Sequence, residues 1–396
     1  MATLHFREAR QCVVDRVSAA LTARAVEEVP LDAACGRVLA EAPHADRDYP
    51  PLARSLRDGF AVRSEDSPGR LRIEGEVRAG DICLRELGCG EAFEIMTGAP
   101  VPPGADAVVM IEHSPRDGEW IAAPAAPLGQ FIAPPASEAR AGESLLDAGR
   151  RLGPSQIALL AAIGWTEVRV YRQPRVAVLS TGDEIVEVSA PPLAHQLRDS
   201  NAHSLAAQLR RAGALPVILP AARDTLPSLR AIVEQGLAAD LLLVSGGVSA
   251  GKYDLVERVF SDLGAEFFFD RVLIRPGQPL VFGCVRERFF FGLPGNPAST
   301  LVTFEVFARA AVELLSGELD PRLPFALAHL TADLSHKPGL TRFLPARWSA
   351  GGAQVTPLAW RGSSDIPALA RADAFLVARP DREIWKAGDL IEVLAI

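Results

Sequence analysis

The sequence predicts an α/β multidomain protein. Its parts are a doubly wound, mostly parallel sheet module, a β-rich inserted domain, a helical or mixed N-terminal domain and a small C-terminal β domain. Three observations predict it. From Pro174 onward β-type runs alternate with helical segments, the pattern of a parallel sheet covered by helices on both faces. From about Ala45 to Glu138 the texture is short β-type runs such as Leu71 to Val77 and Ala107 to Ile111, broken by Gly and Pro. After about Gly317 short β-type runs return: Phe325 to Leu330, Phe343 to Trp348, Ala374 to Val377 and Asp389 to Leu394. A chain of 396 residues also exceeds what one hydrophobic core organises.

Each element has a local reason. Cys12, Val13, Val14, Val17, Ala20 and Leu21 recur near a 3.6-residue period and predict an amphipathic N-terminal helix. Ile157, Leu160 and Ile163 give a second helical face between Arg150 and Gly164, so residues 1–44 and 139–173 are expected to pack together as one discontinuous domain around the insertion at 45–138. In the module at 174–317, Val176 to Leu179 reads as a buried strand and Asp199-Ser200-Asn201 as the cap of a helix reaching about Ala212. Val217 to Leu219 and Leu241 to Val244 follow as strands, with a helix from about Pro227 to Leu237 between them. A helix at Leu255 to Leu263, strands at Phe267 to Ile274 and Phe289 to Leu293, and a helix after Pro297 complete the module. Residues 318–396 form the last domain.

Composition excludes several function classes. A net charge of -8 leaves no broad positive face to grip nucleic acid. The five cysteines contain no C-x-x-C pair and are odd in number, against a disulfide framework or structural zinc, and the histidines are dispersed. No apolar leader core is present near the start, and the longest apolar stretch, Ile157 to Trp165, is too short to span a membrane. The expectation is a cytoplasmic protein with no membrane and no nucleic-acid partner.

The chemistry-bearing strings sit at predicted strand ends, where ligands bind in open α/β sheets. Ser180-Thr181-Gly182-Asp183-Glu184 delivers two carboxylates and two hydroxyls, a donor set suited to Mg²⁺ beside a phosphate; a capped strand-to-loop turn would use the same residues. Asp240 precedes the strand that leads to Ser245-Gly246-Gly247-Val248-Ser249, whose glycines let backbone N–H groups approach a phosphate. Lys252 and Asp254 follow, the latter equally readable as a helix cap. Arg275-Pro276-Gly277-Gln278-Pro279 and Leu293-Pro294-Gly295-Asn296-Pro297 end two successive strands and look like rigid walls for a flat anionic ligand, one carrying a guanidinium; structurally indifferent turns would use the same residues.

These strings, together with Ser55 to Val62, Met96 to Pro102 and Asp199 to Asn201, occur in the order seen in one family. The chain resembles the molybdopterin molybdenumtransferases (MoeA and the gephyrin E domain) over nearly its whole length. The resemblance implies a homodimer that takes adenylylated molybdopterin and molybdate and releases AMP in a Mg²⁺-dependent insertion step. It implies catalytic roles for Asp58, Glu184, Asp240 and Asp254, and metal ligation by Asp183, Glu184, Asp240 and Asp254. Asp58 would form a second wall of the cleft, contributed across the dimer. Substrate contacts are implied for Thr97, Thr181, Gly182, Asp199, Asn201, Ser245, Gly246, Gly247 and Ser249. Further contacts are implied for Arg275, Gln278, Pro294, Asn296, Pro297, Arg342 and Ser363.

Departures from the family pattern are specific. Arg275 and Gln278 stand where two lysines are usual, and Arg57 replaces a methionine. Ala133 to Glu138 takes the place of an arginine-rich stretch. A non-catalytic molybdopterin-binding or carrier paralogue is therefore the alternative reading, and adenylyl transfer to molybdopterin a third.

Overall fold

The computed structural model describes residues 3–247 and 255–396. The chain forms two compact units, one of residues 1–40, 149–153 and 168–396, the other of 41–148 and 154–167.

The larger unit is built on a six-stranded sheet. In chain order its elements are α1 (Phe6–Ala20), β1 (Arg175–Ser180), α2 (Ser200–Arg211), β2 (Leu215–Ile218), α3 (Leu226–Gly236) and β3 (Leu241–Ser245). They continue with α4 (Leu255–Asp262), β4 (Glu266–Arg271), β5 (Pro279–Val285), β6 (Arg288–Leu293), α5 (Pro297–Thr303) and α6 (Arg309–Leu315). The strand order is β2-β1-β3-β6-β5-β4. The four strands from β2 to β6 run parallel, whereas β5 and β4 are added antiparallel. Strands covered on both faces carry apolar residues at every position, and β3 is buried throughout. Its alternate residues serve opposite layers. Leu241 and Leu243 join Val176, Val178 and Phe291 under α1, α2 and the α5–α6 rod, while Leu242 and Val244 join Leu179 and Phe290 under α3 and α4. In the second layer Phe260 and Phe290 stack with ring centroids 3.7 Å apart.

Two expectations change here. Segments 1–44 and 139–173 do pair, strand Val26–Pro30 with strand Glu167–Tyr171 and Val38 and Leu39 with Arg151 and Val170, but helix α1 takes no part in that pairing. Its buried face, Phe6, Ala9, Val13 and Val17, enters the α/β core instead. An apolar stripe specifies that a helix must be covered, not by which neighbour. The expected strand from Phe267 to Ile274 also ends early. Val272 donates its amide to the Gln278 carbonyl at 3.0 Å, closing a loop, and Ile274–Arg275 pairs with Thr341–Arg342 in the C-terminal sheet.

In that sheet Thr341–Trp348, Gln354–Pro357, Phe325–Leu330, Leu390–Ala395 and Ala374–Ala378 pair in sequence, and the last returns to the first. The ring leaves no free edge among these strands. It encloses Leu330, Val355, Leu376, Val393 and Trp385.

The smaller unit carries its own six-stranded sheet, in the order Ala107–Met110, Gly59–Val62, Glu91–Ile95, Gly69–Val77, Trp120–Ala123, Arg116–Asp117. Gly59 is required by crowding: a Cβ there would lie 1.9 Å from the Val109 carbonyl oxygen.

The rod from Pro297 to Leu315 contains a π-helical stretch at Phe304–Ala308. Its buried carboxylates are paired: Glu305 with Arg211 and Arg309, and Glu313 with Arg309 at 2.6 Å. Burial nevertheless pushes the Glu313 carboxyl above its usual value, outweighing the attraction of Arg309. A carboxyl with a raised native pKa holds its proton more tightly folded than unfolded. Stability is then lost as pH rises from the ordinary carboxylate range through the raised native value. Glu313→Gln is expected to flatten this slope, read as thermal unfolding midpoints across the acidic range.

Candidate active site

Parallel pairing places Ser180, Ser245 and Leu293 side by side at the carboxyl ends of β1, β3 and β6. The chain leaves the sheet there through Thr181-Gly182, Gly246-Gly247 and Pro294-Gly295. The exits stay joined, since Thr181 donates to the Ser245 carbonyl and Gly246 to the Leu293 carbonyl, both at 3.0 Å. Beyond them lies a crevice of about 820 Å³. Its lining includes Thr181, Gly182, Glu184, Asp199, Asn201, Ser245, Gly246, Gly247, Pro294, Asn296 and Pro297, all expected from the sequence.

Asn201 joins three elements. Its side-chain nitrogen, from the first turn of α2, donates to Ser245 Oγ at 2.9 Å and to the Gly295 carbonyl at 2.7 Å. Because a carbonyl only accepts, the amide orientation is set, and Asn201 Oδ1 is left buried without a partner among the described residues. Ser180 Oγ and Thr181 Oγ1 are likewise buried and have no partner among the described residues. Buried polar atoms are normally satisfied, and all three of these oxygens belong to residues that line the crevice.

Glycines keep the floor open. Gly246 and Gly247 have φ of +95° and +69°, and a Cβ on either would meet Thr181 O at 2.8 Å or Val256 Cγ2 at 2.7 Å. The amino ends of α2 and α5 also open here, capped at Asp199 and Asn296. Two helix amino ends favour an anion. Asp199 itself is occupied, its carboxylate accepting from the Ala202 amide at 2.9 Å.

One rim is acidic. Asp183 accepts the Asp224 amide at 3.2 Å, and the Asp224 carboxyl is pushed up by burial and by the neighbouring Asp183 and Glu184 carboxylates. Asp224 lines the crevice although the sequence reading passed over it. It follows β2, and only the β1–β2 pairing brings it to Asp183. No three His, Cys, Asp or Glu side chains among the described residues already form a metal cage. The rim fits Mg²⁺ all the same, which takes one or two carboxylates and fills its shell with water and phosphate oxygens.

A cationic group stands on the neighbouring segment. Arg275 pairs in register with Arg342. Burial and the Arg275 charge hold the Arg342 guanidinium below its usual value, and its Nε is buried without a partner among the described residues. Neither arginine lines the crevice, nor does Gln278, but Pro279 at the end of their segment does. Ser363 accepts the Ala298 amide at 2.9 Å, tying the stretch that contributes Ser364 to the first turn of α5.

Asp240, expected in the crevice, lies away from it. It stands at the amino end of β3, opposite the crevice, where its two oxygens each accept from Arg172 at 3.0 Å and one accepts the Arg175 amide at 2.7 Å. A residue that precedes a parallel strand cannot share a site with residues that follow it. Asp58 and Thr97 belong to the smaller unit, where the Thr97 amide donates to Asp58 at 2.7 Å and keeps its carboxyl below the ordinary range. Ser249 and Asp254 lie outside the described residues, as does Lys252.

Comparison with known proteins decides the family. Residues 4–164 match the MoeA N-terminal region (domain I and II), 177–314 a probable molybdopterin binding domain, and 328–396 the MoeA C-terminal region (domain IV). Molybdopterin molybdenumtransferase of Bacillus subtilis (strain 168) is 34% identical over 93% of this chain and 90% of its own. The chain belongs to the molybdopterin molybdenumtransferase family. The Nostoc enzyme of that name is 38% identical over 74% of this chain and 70% of its own. A molybdopterin biosynthesis MoeA protein from Pyrococcus horikoshii superposes over the full length of both chains with a TM-score of 0.80 at 25% identity. As a member of this family the chain is a molybdenumtransferase of molybdenum cofactor biosynthesis.

The geometry separates two substitutions. Asn201→Ala removes both donors and is expected to weaken binding of the molybdopterin substrate by about tenfold to a hundredfold, measured calorimetrically. Asp240→Asn is expected to leave turnover within about twofold of wild type, because it touches no part of the crevice.

Proposed function

We propose that the chain inserts molybdate into adenylylated molybdopterin in a Mg²⁺-dependent step that releases AMP, working as a cytoplasmic homodimer. The observation that carries this reading is a glycine-floored crevice lined by Ser180, Thr181 and Asn201, whose Oγ, Oγ1 and Oδ1 atoms are buried with no partner among the described residues. The two hydroxyls donate to phosphate or pterin oxygens, and Asn201 Oδ1 accepts from a pterin N–H. The α2 and α5 amino ends offset the phosphate charge. Arg275 and Arg342 suit the second anion, molybdate, by supplying two guanidiniums beside the crevice segment.

Asp183, Glu184 and Asp224 would hold Mg²⁺ at the acidic rim. When bound there the ion supplies positive charge that offsets anion repulsion and developing charge at the phosphoanhydride. Asp58, kept ionised by the Thr97 amide, is the carboxylate proposed to come from the second subunit. The five cysteines are all free, which agrees with a reducing cytoplasm.

Turnover assays test the reading. Purified protein given adenylylated molybdopterin, molybdate and Mg²⁺ is expected to form molybdenum cofactor and AMP, and to stop when EDTA removes the metal. Glu184→Gln is expected to lower kcat/KM by about tenfold to a hundredfold. Sedimentation at assay concentration checks the dimer. Neutral Gln278, in place of a cation, favours the carrier alternative. Tight substrate binding without AMP release would establish that alternative.

A further inference from the structure

The amino ends of the same parallel strands carry a second cavity, about 560 Å³ in volume. It is separated from the crevice by the length of β3, on the order of 15 Å. Asp240 and the Arg288–Phe289 start of β6 line one side, and the chain leaving α1 lines the other.

Three guanidiniums, Arg24, Arg172 and Arg288, face this space with two carboxylates, Asp240 and Glu287. Asp240 is fully used, because both its oxygens accept from Arg172 and one also accepts the Arg175 amide. Glu287 offsets one more formal charge, which leaves one positive charge in excess. The structure shows where the need for an anion is greatest. Arg24 lies over the Tyr171 ring at 5.6 Å, and its Nε is buried with no hydrogen-bond partner among the described residues. The Nε is closed off from the cavity, so the two terminal nitrogens of Arg24 are the atoms a carboxylate would meet, through two parallel bonds. The rest of the lining is largely apolar, with Leu21, Phe289 and Leu315 beside Ala and Pro residues. The volume is that of a small-molecule site.

We propose that this cavity is a second ligand site, taking a small carboxylic acid with an apolar or aromatic body, its carboxylate seated on Arg24 and its body against Phe289 and Leu315. The reading is independent of the chemistry in the crevice. One positive charge left over matches a monoanion better than a phosphate, and the apolar lining leaves an inorganic ion without partners on most sides.

Cys284 lines the same cavity and provides a local reporter. Benzoate is the probe and benzamide its neutral counterpart. Benzoate is expected to bind in calorimetry and to slow N-ethylmaleimide modification of Cys284, read by mass spectrometry, whereas benzamide does neither. Arg24→Gln is expected to weaken benzoate binding by about tenfold or more. Asn201→Ala, at the crevice, should leave the protection unchanged. Benzoate that gives no heat of binding, equal protection by benzamide, or protection lost in Asn201→Ala would each overturn the proposal. The benzamide comparison uses the unaltered chain and stands even if Arg24→Gln is unstable.

Discussion

Everything at the crevice depends on the parallel pairing of β1, β3 and β6, which aligns Ser180, Ser245 and Leu293 in one row. In a parallel ladder the chain leaves every strand on the same side, so three separate loops are delivered to one place by backbone hydrogen bonding alone. Antiparallel pairing would send alternate exits to opposite sides. The strands beyond β6 are antiparallel, and the crevice is centred on the parallel part.

Such a site carries a cost. Unpaired buried oxygens, glycines at positive φ and clustered carboxylates all oppose folding. The opposing contribution comes from two fully apolar layers on either side of the sheet, where strands such as β3 are buried at every position. Helix α1 adds its apolar face to one of those layers. The site is therefore held rigid by packing on both faces of the sheet, while the glycines at the strand exits keep space open for a ligand. The opposite end of the sheet follows the same logic with different residues, since Asp240 is neutralised there by Arg172 and the Arg175 amide.

Most of the module was legible in the sequence because its strands are uniformly apolar and its helices are amphipathic and capped. Asp199 was read as a helix cap and its carboxylate caps α2. Gly246 and Gly247 were read as a close backbone approach, and both adopt φ values that side chains avoid. The strand β5 was not seen, because a run beginning in Pro279 and containing Gly283 lacks the continuous texture of its neighbours. Asp240 and Asp224 show the limit most clearly. One was assigned to the crevice because its string leads into a glycine turn, yet it stands at the far end of its strand. The other was passed over because nothing near it in the chain marks it, yet it lies beside Asp183.

By itself, then, the sequence determined the family, the presence of a parallel sheet, and which strings carry glycines, hydroxyls and carboxylates. These are local properties: periodicity, capping and turn chemistry act within a few residues of one another. The tertiary structure decided which strings meet, that α1 is covered by the α/β core, and that the acidic rim is completed by Asp224. Those outcomes depend on strand order and direction, and pairing brings together residues far apart in the chain, a relation that no local pattern encodes.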